Sequence, residues 1–197
     1  MVRRARFRRL VQALLALLGV AVAPVLGAAL EGAESLVLDD FKGISRWSQS
    51  NWAEADTDPT GRVRYVPRIE DGIGLNGEPA LSVTLHFKPG GYSQGVVLQS
   101  NPGDWSKWDE LVVDVKLVQD VPGLSPRAKA IIFPDDQWTE SADAYSVALK
   151  PGEWVTLRVP LGESMPSDLW STPTDVARLA RVRAWAVKFF ALNVPET

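Results

Sequence analysis

Residues 80–87 read Ala80-Leu81-Ser82-Val83-Thr84-Leu85-His86-Phe87. In an extended chain Leu81, Val83, Leu85 and Phe87 share one face, and Ser82, Thr84 and His86 share the other. A period of two is the signature of a half-buried strand. Glu110 to Leu117 repeats the pattern, with Leu111, Val113, Val115 and Leu117 inward and Asp114 and Lys116 outward. Further strands are expected at Leu36 to Phe41, Arg62 to Val66, Gly95 to Gln99 after the Pro89-Gly90-Gly91 turn, Ala128 to Phe133, Ala144 to Leu149, Trp154 to Leu161 and Val182 to Leu192. Lys150-Pro151-Gly152-Glu153 reads as a tight turn between two of them. One helix is expected, near Thr174 to Ala180, capped by Thr174 with Asp175 at its positive end. Many short strands with almost no helix predict an all-β antiparallel β-sandwich or barrel.

The N-terminus reads as a targeting segment, not as part of that fold. Arg3, Arg4, Arg6, Arg8 and Arg9 precede an apolar run from Leu10 to Leu26, and Gly27-Ala28-Ala29 supplies small residues for cleavage after Ala29. Residues 1–29 are therefore expected to be a signal peptide and 30–197 a single domain, secreted or periplasmic. A membrane anchor would follow only if the signal stayed uncleaved. The chain has 21 basic and 24 acidic residues. The leader holds five of the arginines and no acid, so the remainder carries 16 against 24, a net charge of −8. An acidic domain is a poor partner for nucleic acid. There is no cysteine, which excludes disulfides, thiolate metal sites and cysteine nucleophiles.

Eight tryptophans are present. Trp52, Trp138 and Trp170 lie in polar, Pro- and Asp-rich stretches, where an exposed indole costs free energy unless a partner covers it. The flat C–H-rich face of a sugar is such a partner; a ring tucked under its own loop is the structural alternative. Trp105, Trp108 and Trp154 flank strong strands and read as core. No Gly-x-Ser-x-Gly, His-Glu-x-x-His or phosphate loop occurs, and His86 is the only histidine. The chain is expected not to be an enzyme.

Several motifs follow in order: Leu38-Asp39-Asp40-Phe41 with Trp47 soon after, Gly103-Asp104-Trp105-Ser106-Lys107-Trp108 before Leu111-Val112-Val113-Asp114-Val115-Lys116, Ala144-Tyr145-Ser146-Val147, and Gly152-Glu153-Trp154-Val155-Thr156-Leu157. This series, spanning Leu36 to Leu192, resembles carbohydrate-binding modules of the galactose-binding-like jelly-roll type, most closely family 11, which binds β-glucans. The resemblance implies two antiparallel sheets, a groove of aromatic and acidic residues, often a structural calcium, and attachment to a glycoside hydrolase in a longer protein. It places Tyr92 near a stacking tyrosine and Asp168 with Trp170 near an Asp-aromatic pair. Trp52 is offset from an aromatic of the same loop, and Trp138 with Asp135 and Asp136 is similar to a rim platform. Lys188 faces the groove if Val182, Trp185, Val187 and Phe189 serve the core, with Ala186 beside it and Arg183 at the rim. The opposite phase, with Phe189 outward, is left open by the pattern.

Asp39 and Asp40 are candidate calcium ligands, with turn or strand-end aspartates as the alternative; two carboxylates fall short of the six to eight oxygens that calcium takes. Two departures stand against the resemblance. The family's final strand is expected to be missing, because the chain stops at Asn193-Val194-Pro195-Glu196-Thr197. The family's Asp and His near Arg183 and Ala186 are also absent. A polysaccharide such as β-glucan is the expected partner. A cell-envelope protein-interaction sandwich without sugar binding is the second reading, and a lyase or hydrolase on the same scaffold the third.

Overall fold

The computed structural model describes residues 2–4, 34–44, 46–49, 67–85, 87, 91–119, 123–135, 137–162, 164–169 and 171–194. The strands are β1 (Val2–Arg4), β2 (Glu34–Leu36), β3 (Trp47–Gln49), β4 (Arg68–Glu70), β5 (Ala80–Ser82), β6 (Gly91–Gly103), β7 (Glu110–Lys116), β8 (Arg127–Pro134), β9 (Thr139–Glu140), β10 (Val147–Ala148), β11 (Trp154–Pro160), β12 (Ser164–Met165), β13 (Thr174–Asp175) and β14 (Val182–Val194). A six-stranded sheet runs β10-β8-β14-β6-β3, with β9 also on the outer edge of β8. A four-stranded sheet runs β11-β7-β1-β2, and every pairing is antiparallel. The fold is the expected all-β antiparallel sandwich of the jelly-roll class.

Both sheets turn an apolar face to one core. Alternation in β7 sends Leu111, Val113 and Val115 inward and leaves Asp114 and Lys116 exposed, as the pattern requires. In β11, Leu157 and Val159 point inward while Thr156 and Arg158 bond Asp114 and Glu110 across the outer face. The six-stranded sheet contributes Val97, Ala128, Ala130, Ile132, Trp185 and Val187. Trp105 and Trp108 join them as expected. Trp154 does not: it is half-buried on the outer face of the four-stranded sheet, with the Lys116 ammonium 5.9 Å from its ring.

Boundaries differ from the pattern where side chains overrule propensity. The expected strand at Leu36 to Phe41 is instead β2, ending at Leu36. Phe41 has a φ of 54°, a left-handed turn stabilised where its N–H donates to Asp39 Oδ1 at 2.6 Å. Strand β5 stops at Ser82, yet Leu81, Val83 and Leu85 still pack on the core, so the alternation outlives the ladder. Leu85 lies close against Gly95 of β6, where a Cβ would come within 2.8 Å of Leu85 Cδ2. The helix α1 (Val176–Leu179) is capped by Asp175, whose side chain accepts from the Arg178 N–H at 2.9 Å. Thr174, the expected cap, is instead buried in β13. Lys150 to Glu153 does form the turn, with Glu153 N–H on the Lys150 carbonyl at 3.2 Å and Gly152 at a φ of 78°. The expected strand at Arg62 to Val66 lies outside the described residues.

Two features concern the ends. Val2–Arg4, from the stretch that reads as a leader, pair with Leu36, Ser35 and Glu34 on one side and with Leu111 and Glu110 on the other. Removal of a leader would leave β2 and β7 without their shared neighbour. The last strand, β14, is central to its sheet, paired on both sides by β8 and β6.

Candidate functional site

The phase of β14 decides what each face of the six-stranded sheet carries. Val182, Trp185, Val187 and Phe189 pack on the core. A register shift between Val182 and Ala184 lets Val182 and Trp185 face the same way despite their odd spacing. Ala186, Lys188 and Phe190 therefore occupy the face turned away from the core. Their cross-strand neighbours share that face: Leu98 and Ile131 beside Ala186, Val96 and Lys129 beside Lys188, Gln94 and Arg127 beside Phe190. Val96, Ile131 and Ala186 form a small second apolar cluster there, with Leu98 and Phe133 against it.

Two lysines thus stand next to each other on an apolar face, which electrostatics allows only with anions nearby. Three carboxylates supply them. Lys129 and Glu140 are each 2% exposed and Lys188 6%. Lys129 Nζ is bonded to Glu140 Oε1, to Asp168 Oδ2 at 2.5 Å and to Asp143 Oδ1 at 2.9 Å. Lys188 Nζ donates to the same Glu140 oxygen at 2.7 Å. The Phe190 ring stands beside both ammonium groups, its centroid 5.2 Å from Lys129 Nζ and 5.8 Å from Lys188 Nζ. Burial alone would depress Lys129, yet its hydrogen bonds to Asp143, Asp168 and Glu140 outweigh that and hold it above the ordinary lysine range. Burial wins at Lys188: with the bond to Glu140 only partly offsetting it, this amine sits below its ordinary range.

The acids arrive on three segments: Glu140 on β9, Asp143 on the 3-10 turn Asp143–Tyr145, and Asp168 on the loop after β12. Backbone bonds lace these segments together. Asp168 N–H donates to the Glu140 carbonyl at 3.1 Å, Asp143 N–H to Asp168 Oδ1 at 3.1 Å, and Ala142 N–H to the Pro166 carbonyl at 3.1 Å. Ser171 Oγ accepts from Glu140 N–H at 3.1 Å, and Thr139 Oγ1 bonds both the Thr172 carbonyl, at 2.5 Å, and Thr174 Oγ1. The outcome is one rim built from 137–146, 166–169 and 171–174. At its surface Trp138 is 38% exposed and the Asp143 side chain 67%. Leu169 is fully exposed.

Of the residues singled out from sequence, the structure brings Asp168 and Lys188 into one cluster, joined through Lys129 and Glu140. Both are enclosed by their partners and do not form an open wall. Trp138 stands two residues before Glu140 on the same rim. Tyr92 lies in β6 by its backbone, and Trp52 and Trp170 fall outside the described residues. Lys129 and Glu140 escaped the sequence reading. The available signal was period two: Lys129 sits between inward Ala128 and Ala130 in an otherwise apolar strand, so its charge must face the other side with a counter-ion.

Asp39 and Asp40 diverge. Asp39 Oδ2 accepts from Trp47 Nε1 at 2.8 Å and from Gln99 Nε2, and its Oδ1 takes the Phe41 N–H. Gln99 passes the chain on, its Oε1 accepting from Trp185 Nε1. Asp40 pairs with Lys42 at 2.7 Å on the surface, and that bond lowers its titration below the ordinary carboxylate range. Both Asp39 oxygens are engaged, and among the described residues no group of three His, Asp or Glu side chains is arranged to hold a metal. This donor set does not by itself make a calcium shell.

No protein-family model matches the chain, and no curated protein matches it. Among solved structures it is similar to a carbohydrate-binding module described for specific mannan recognition, at 15% identity and a TM-score of 0.49, over 80% of this chain and 86% of that one. At that level the likeness carries no argument about what this chain binds.

Proposed function

We propose that the protein is a non-catalytic carbohydrate-binding domain, acting outside the cytoplasm after its leader is removed, and that a β-glucan-like polysaccharide is held at the rim formed by 137–146, 166–169 and 171–174. The observation that carries this reading is an exposed indole and an exposed carboxylate on one cross-laced surface: Trp138 offers a stacking face and Asp143 accepts from sugar hydroxyls. Enclosed acids support a binding role over a hydrolytic one. A glycosidase needs two carboxyls facing each other across substrate, about 5–10 Å apart. Here Glu140 and Asp168 converge on a single ammonium. Attachment to a glycoside hydrolase in a longer protein fits the same reading.

Affinity electrophoresis through gels containing β-glucan, xyloglucan, mannan or no polysaccharide tests it. Retardation in the β-glucan gel alone is expected; retardation only in another gel would change the glycan class, and uniform mobility of folded protein would remove the proposal. Calcium at Asp39 and Asp40 belongs to the same proposal: adding calcium to chelator-stripped protein should then raise Tm, and an unchanged Tm removes it. One observation favours the second reading, an envelope protein-interaction domain. Among the described residues the slot between β2 and β7 is filled by Val2–Arg4 of the leader-like stretch, and an emptied slot is a site for strand addition.

A further inference from the structure

The rim has little regular structure of its own. Its ladders are the two-residue β9 on β8 and the two-residue pairing of β12 with β13; among the described residues its loops are further joined by the isolated bridge Ser141↔Ser167, by the Thr172 N–H on the Trp138 carbonyl at 3.3 Å and by the single bonds given above. Ladders that short do not hold a fixed geometry unaided. Lys129, by contrast, sits in the middle of β8, locked in continuous register against β14 from Ala184↔Phe133 to Phe190↔Arg127. Its ammonium is the one point where Glu140, Asp143 and Asp168 meet.

We propose that Lys129 is the positioning residue of the rim: its ammonium stands where a bound cation would, gathers one carboxylate from each of three segments, and so fixes Trp138 and Asp143 in the arrangement that meets a ligand. Without it the three carboxylates repel one another at close range, with Glu140 and Asp168 shielded from water. Lys188 bonds Glu140 and so anchors β9. The titration of Lys129, held high against the effect of its burial, accords with a cation serving three acids. The consequence for ligand binding rests on the carbohydrate reading; the ordering of the rim does not.

The test compares the full chain with Lys129→Met and Lys129→Arg by amide hydrogen exchange, and by mobility in whichever polysaccharide gel retards the unaltered protein. In Lys129→Met the Asp143, Asp168 and Ser171 amides should exchange at least about tenfold faster, while those of β7 and β11 change by less than about twofold. Affinity should fall at least about tenfold at a temperature where the far-UV spectrum is unchanged, and Lys129→Arg should restore part of it. Unchanged rim protection would overturn the proposal. So would uniform acceleration of all amides, which marks an ordinary core residue. If the unaltered protein is retarded by no polysaccharide, the carbohydrate reading fails, and exchange alone still decides the positioning role. Should Lys129→Met not fold, Asp143→Asn removes only the exposed arm; it should speed exchange at Asp143 and Asp168, and no change there would overturn the proposal.

Discussion

Replacing Asp39 by alanine removes an acceptor on which two buried donors depend. Trp47 and Gln99 are both buried, and each gives a side-chain N–H to Asp39 Oδ2. A buried donor left without a partner costs about 1–3 kcal/mol. Asp39 is itself half-buried, so water can reach part of the vacated space and the lower half of that range applies to each. Loss of the bond from the Phe41 N–H adds about 0.5–1 kcal/mol, because it holds a residue in the left-handed region. The total is about 2.5–5 kcal/mol. With a urea slope of about 2 kcal/mol/M, the unfolding midpoint should fall by about 1.3–2.5 M. Asp39→Asn keeps an acceptor oxygen and should lose about half as much. Tryptophan fluorescence and far-UV circular dichroism in urea measure both, since Trp47 and Trp185 report on this network directly. A loss below about 0.5 kcal/mol for Asp39→Ala would refute the reasoning. The same assay separates the anchor role from calcium ligation: an anchor costs the same with and without chelator, whereas a ligand's effect vanishes once calcium is stripped.

Lys188→Met should flatten the alkaline side of the stability profile. Because the folded-state pKa of Lys188 lies below the unfolded value of about 10.4, the unfolded chain binds more protons between the two, and the unaltered protein gains stability there as pH rises; urea midpoints of the two proteins that run parallel from pH 7 to 10 would contradict this. Lys129 acts with the opposite sign, its contribution being complete below about pH 10.4 and lost only above it. Trp138→Ala should weaken polysaccharide retardation at least tenfold while changing stability by less than about 1 kcal/mol, because the ring is substantially exposed; undiminished retardation would take Trp138 out of the site. A chain starting at Leu30 lacks β1 and should self-associate with rising concentration in analytical ultracentrifugation, through the uncovered edges of β2 and β7; a strict monomer at all concentrations would show that those edges are otherwise protected.

The sheets were legible because their signal is local. Leu111, Val113 and Val115 alternate with Asp114 and Lys116, and each residue's preference for water or core holds wherever the strand lands. The turn at Lys150 to Glu153 was legible for the same reason, since Gly152 supplies the positive φ on its own. Trp105 and Trp108 were correctly placed in the core, while Trp154 was not, because what flanks a strand does not say which face the first residue takes. The helix cap moved from Thr174 to Asp175 because Thr139 and the buried β13 claimed the threonine.

The candidate site was legible only in fragments. Asp168 and Lys188 could be named, but nothing local links them: they meet through Lys129 and Glu140, at separations in sequence that only sheet pairing closes. The sequence by itself determined the strand periodicity, the acidic balance and the absence of thiol chemistry, because each follows from composition or nearest neighbours. Tertiary structure alone decided the phase of β14, the engagement of Asp39 by Trp47 and Gln99, and the convergence of three carboxylates on one ammonium. Those depend on a bulge and on cross-strand register, and a one-residue change in either would turn Lys188 to the opposite face and separate the charges.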